Sequence, residues 1–107
     1  MTYDLKGKTA VVTGASRGIG AAIARTLAMD GARVAMVARS GAALKALASE
    51  LPNGPVVIQA DLSSSDGWKA AADAALKALG HVDMLVNNAG VSEGRWAQSR
   101  PRRWMRR

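Results

Sequence analysis

Residues Thr13 to Gly20 read T-G-A-S-R-G-I-G, directly after the apolar run Thr9-Ala10-Val11-Val12 and directly before a helix-patterned stretch. That order constrains the chain to a strand, a tight turn and a helix. The glycines at 14, 18 and 20 each have a physical use there: a tight turn, a backbone free to approach an anion, and a helix start that can lie against its strand. A helix beginning at such a turn points unpaired N–H groups and the positive end of its dipole outward, which suits a pyrophosphate. A Gly-rich turn with no ligand has the same residues, so the rest of the chain must decide.

The segments that follow alternate as a parallel sheet with crossover helices requires. Strands are expected at Thr9–Thr13, Val34–Ala38, Val56–Gln59 and Met84–Asn87. Helices are expected at Ile19–Asp30, with Ile19, Ile23 and Leu27 on one face, at Ala42–Leu51, with Leu44, Leu47 and Leu51 on one face, and at Asp66–Leu79. In the third helix Trp68, Ala72, Ala75, Leu76 and Leu79 form the expected apolar stripe. Gly31, the run Pro52-Asn53-Gly54-Pro55, and Gly80 end the three helices.

With 107 residues the chain holds one domain at most. Its net charge of +7 divides unevenly: residues 95–107 carry six arginines and no acid, which leaves the preceding body near neutrality. There is no cysteine, which excludes a disulfide framework and a Cys-based metal site and fits a reducing compartment. His81 stands alone at the sequence level, without ligand partners at useful spacing, and reads as a loop residue. Asp4 near the start, the lack of an apolar leader core and the absence of a run of ~20 apolar residues lead us to expect a cytoplasmic chain with no membrane span.

The spacing G-x-x-x-G-x-G after Thr13, together with Asn87-Asn88-Ala89-Gly90 at the end of the fourth expected strand, resembles the short-chain dehydrogenase/reductase family over residues 1 to about 92. The resemblance implies an α/β fold: a partial Rossmann-type parallel sheet of about four strands in the order 3-2-1-4, with three helices. It also implies a dinucleotide cofactor held by Gly14, Ser16, Arg17, Gly18, Ile19 and Gly20 in the turn, by Arg39 after strand two, by Asp61 and Leu62 after strand three, and by Asn88, Ala89 and Gly90. Ser16 and Arg17 would reach the adenosine side. Arg39 stands where the adenosine ribose is read, and the stretch Val37-Ala38-Arg39-Ser40 offers no acid to repel a 2′-phosphate. Two arginines, 17 and 39, therefore favour NADP over the alternative, NAD. The Asp61 carboxylate would accept from the adenine amino group with the Leu62 backbone beside it, or else serve as a turn aspartate for the serines that follow. Asn88, Ala89 and Gly90 would meet the ribose, while Asn87 ties strands together.

The family's chemistry uses a tyrosine with a lysine four residues on and a serine upstream. Here the sole tyrosine is Tyr3, followed four positions later by Gly7, so no catalytic residue is assigned. We expect residues 1–92 to be a dinucleotide-binding half-domain and 93–107 a disordered basic tail. The arginine, tryptophan and proline enrichment after Ser92 fits a truncated or frameshifted product. The rivals are a stand-alone nucleotide-binding or subunit-interaction module, and a basic arm for nucleic acid or an anionic membrane, which nothing in the body invites. An unpaired fourth strand would favour self-association through the sheet edge.

Overall fold

The apolar runs become strands and the periodic stretches become helices in the computed structural model, which describes residues 4–88. In chain order the elements are β1 (Thr9–Thr13), α1 (Gly18–Met29), β2 (Arg33–Ala38), α2 (Gly41–Ala48), β3 (Val56–Gln59), α3 (Ser65–Leu79) and β4 (Met84–Asn87). The sheet runs β3-β2-β1-β4 with every neighbouring pair parallel, the order implied by the resemblance. Ala89, Gly90 and the expected basic tail lie outside the described residues.

Alternation along the strands divides the core into two layers. Ala10 and Val12 of β1 join Val34, Met36 and Ala38 of β2 beneath α1 and α2. Val11, Ala35, Val37 and Ile58 point the other way, beneath α3. Because helices lie on both faces, β1 and most of β2 are buried without a polar side, which explains their near-continuous hydrophobicity.

The helix faces differ from the simplest reading of the periodicity. In α1 the buried residues are Gly20, Ala21, Ala24 and Ala28, while Ile19 is 71% exposed. Small side chains let the α1 backbone sit close to the sheet, and Ile23 and Leu27 pack only at its margin. Ile19 lies roughly 100° round the helix from Gly20 and so misses the core. In α3 the buried set is Trp68, Ala71, Ala75 and Leu79, and Leu76 is 51% exposed. Leu76 and Ala72 instead line an apolar cleft of about 180 Å³ against Val11, Val82 and Leu85. α2 ends three residues short of Leu51 because its last turn tightens: the Glu50 and Leu51 N–H groups donate to carbonyls three residues back, at 2.9 and 3.1 Å. Leu51 still packs on the core.

His81 has partners that its sequence position hides. Its imidazole Nε2 lies 3.1 Å from Asp83 Oδ2, and its carbonyl accepts from Thr9 Oγ1 at 2.6 Å. Thr9 N–H in turn donates to Asp83 Oδ2 at 2.9 Å, and Asp83 N–H donates to Thr9 O at 3.1 Å. This cluster fastens the start of β4 to the start of β1. The Thr9 backbone bond, helped by the charges of His81 and Lys8, holds the Asp83 carboxyl below the ordinary carboxylate value.

Candidate functional site

The carboxyl ends of the four strands share one side of the sheet, and the turn after β1 is built around its glycines. Gly14 has φ +66° and donates its N–H to Val37 O at 2.8 Å, which anchors the turn to β2. Gly18, also in the left-handed region at φ +63°, begins α1. Gly20 is buried, and a Cβ placed on it would overlap the Gly14 carbonyl and stand 2.9 Å from Asn88 Nδ2. Only glycine fits there. Ser16 is half-buried in the turn, and Arg17 and Ile19 are exposed beside it.

The start of α1 is chemically distinct from the starts of α2 and α3. Ser40 Oγ accepts from Ala43 N–H and Ser64 Oγ accepts from Gly67 N–H, so those two helices carry side-chain caps. At α1 the cap position is Arg17, with extended backbone and no side-chain hydrogen bond, and no acid stands in the first turn. The positive end of the α1 dipole therefore has no acid in its own first turn and no side-chain cap among the described residues to meet it.

The end of β4 closes on this turn. Asn88 N–H donates to Thr13 Oγ1 at 2.9 Å, and Thr13 Oγ1 donates to Asn87 Oδ1 at 3.1 Å. Asn87 thus ties strands, as its position suggests. Asn88 Nδ2 donates to Gly14 O at 3.4 Å, which turns its amide toward the glycine turn. Gly14, Gly20 and Asn88 consequently meet at one point between β1 and β4.

On the other side, Arg39 follows β2 and is exposed, and Asp61 follows β3 and is exposed. Asp61 Oδ1 accepts from Ser63 Oγ at 2.6 Å and Ser63 N–H at 2.9 Å, so the turn role foreseen for it is real. Those two bonds, the hydroxyl first, hold its carboxyl below the ordinary value, and the Arg39 guanidinium adds a smaller pull. Among the described residues Asp61 Oδ2 accepts no hydrogen bond, so an acceptor remains for a ligand. Leu62 is half-buried against the α3-side core.

The described residues foreseen for the site therefore follow the carboxyl ends of the strands, in the loops or in the first turn of α1; those after β1 and β4 flank the point where the strand order reverses, and Arg39, Asp61 and Leu62 follow β2 and β3. Two supports were not foreseen. Ser40 starts α2 one residue after Arg39, and Gln59 Nε2 donates to Arg39 O at 3.0 Å. A polar residue ending the apolar strand Val56–Gln59 was the available signal. Among the described residues no group of three or more potential metal ligands forms, and no helix is long and apolar enough to cross a membrane.

This fold is that of a known family. The short chain dehydrogenase family matches residues 8–106, and the chain belongs to that family. The match continues past Gly90 into the arginine-rich stretch. The 3beta-hydroxysteroid dehydrogenase 1 of Eggerthella lenta is 46% identical over 95 residues, which cover 85% of this chain and 36% of that protein. A metagenomic short-chain oxidoreductase crystallised with NADP superposes with a TM-score of 0.77 at 46% identity, over 94% of this chain and 48% of the other. The 3-ketoacyl-(acyl-carrier-protein) reductase of Brucella melitensis, crystallised with NADH, gives 0.72 at 38% identity over 76% of this chain and 34% of its own. The chain spans between 36% and 43% of the length of the curated relatives it matches.

Proposed function

We propose that these residues form the NADP(H) site of a short chain dehydrogenase and that this chain is its nucleotide-binding portion. The observation that carries the reading is the Gly14–Gly20–Asn88 contact beside the uncapped start of α1: a cradle that a Cβ would fill, at the positive end of a helix. Gly14, Ser16, Gly18, Ile19 and Gly20 bring backbone and a hydroxyl to the pyrophosphate. Arg17 and Arg39 flank the 2′-phosphate of the adenosine ribose, where a carboxylate would be repelled and a planar guanidinium can pair in two places. Asp61 Oδ2 accepts from the adenine amino group beside the Leu62 backbone. Asn88, followed by Ala89 and Gly90, borders the ribose.

When bound, NADPH would supply hydride to a carbonyl, and NADP+ would accept it from the corresponding alcohol. These 107 residues contain no Tyr-x-x-x-Lys, so the family's tyrosine proton donor has no counterpart among them. Titrating the purified chain with NADPH and with NADH, followed by calorimetry, tests the reading. Saturable binding with NADPH the tighter supports it; no binding of either overturns it.

A further inference from the structure

We propose that Gln59 is a positioning residue that fixes the Arg39 backbone and thereby sets the preference for a 2′-phosphorylated dinucleotide; this rests on the NADP(H) reading above. β2 and β3 pair in register as far as Ala38 opposite Gln59, and their last backbone bond runs from Ala60 N–H to Ala38 O at 3.0 Å. The next carbonyl, that of Arg39, has left the ladder. Gln59 Nε2 donates to it at 3.0 Å, so a side chain extends the strand pairing by one residue.

On the far side of Arg39 the chain is fixed again. Ser40 Oγ accepts from Ala43 N–H and Ser40 O accepts from Leu44 N–H, both at 3.2 Å, which starts α2. Arg39 is thus one residue held between a strand end and a capped helix. Its guanidinium makes no hydrogen bond to any described residue, so its backbone sets the point from which the charge is presented, with the Asp61 carboxylate near enough to feel it. Gly41 completes the arrangement. A Cβ there would lie 2.7 Å from Gln59 Oε1 and 3.1 Å from Cδ, so the missing side chain leaves room for the amide.

Two substitutions on different elements should therefore have one effect. Gln59→Met keeps length and bulk and removes the donor. Gly41→Ala displaces the flexible end of Gln59 while improving the helix propensity of α2. Dissociation constants of the 107-residue chain for NADPH and NADH are measured for wild type, both variants and the double variant. Loss of one positioning hydrogen bond should weaken NADPH about three- to tenfold and leave NADH within about twofold. The double variant should be no worse than either single one, because both remove the same bond. A merely structural role would lower both affinities together in both variants. Wild type preferring NADPH with an unchanged preference in Gln59→Met overturns the Gln59 role alone, whereas wild type that binds neither cofactor overturns the NADP(H) reading beneath it.

Discussion

Gly20 faces the carbonyl of Gly14 so closely that a Cβ on it would overlap that carbonyl, so the first turn of α1 and the turn after β1 leave no room for a side chain between them. Gly18, two residues earlier, has nothing within 4 Å of its missing Cβ but holds φ +63°. The two glycines are thus required for different reasons, and substitution separates them. Gly20→Ala forces the helix off its strand and should cost about 1–3 kcal/mol. Gly18→Ala meets only the left-handed backbone and should cost about 1 kcal/mol. Denaturant midpoints check both, and NADPH binding should suffer more in Gly20→Ala because Asn88 is displaced with the helix.

Arg39→Ala should weaken NADPH about tenfold or more and leave NADH almost unchanged, since a charge-assisted phosphate contact is lost and no ribose hydroxyl contact is. Paired titrations of wild type and variant read this directly. Equal loss for both cofactors would show that Arg39 does not discriminate between them.

The sheet was legible because both of its patterns are local. Apolar runs such as Val34–Ala38 suit strands covered on two sides, and Gly31 and Gly80 follow the ends of α1 and α3 closely, whereas α2 stops at Ala48, before Pro52. The register of helix faces was harder to read. Ile19, Ile23 and Leu27 have the right spacing, yet the sheet takes the alanines, because close approach of backbones outweighs the size of the apolar side chain. Motif spacing named the residues of the loops after the strands; it could not name those fixed by contacts across the sheet. His81 and Asp83 are two residues apart, but their role depends on Thr9, more than seventy residues earlier. Gln59 acts on Arg39 across a strand pair, a relationship that no single-strand pattern carries.

The purified chain should show no dehydrogenase turnover by itself. A general acid contributes about 10²–10⁴-fold, and the only tyrosine, Tyr3, is followed four residues later by glycine. Oxidation of NADPH is followed against a panel of ketones and aldehydes, using protein freed of host reductases. Turnover above the buffer rate would place the proton donor somewhere within these 107 residues.

The outer edge of β4 has no strand beside it among the described residues, and all four of its residues are only half-buried. Such an edge is a template for pairing with another chain. Sedimentation over a range of concentrations should show association, and Leu85→Lys should reduce it, with circular dichroism confirming that the sheet survives. A monodisperse monomer at high concentration would show that the edge is protected.

Acid should loosen the chain at the β1–β4 junction. Asp83 has a folded pKa below its ordinary value of 3.8, chiefly because its carboxylate accepts the Thr9 N–H. A depressed carboxylate stabilises the fold at pH values above its unfolded pKa, and that contribution disappears as pH falls through the folded value. Stability should therefore be flat near neutrality and decline below about pH 4. Asp61, depressed by Ser63 and Arg39, contributes to the same decline. Asp83→Asn removes the anionic acceptor at every pH, so the variant should melt below wild type at neutral pH and the gap should narrow in acid, where the wild-type carboxyl is itself protonated. Asp61→Asn provides the comparison, because it changes the same acid limb without touching the junction. Parallel curves for wild type and Asp83→Asn from pH 7 down to about pH 2 would mean that the Thr9–Asp83 bond does not depend on the charge of the carboxylate.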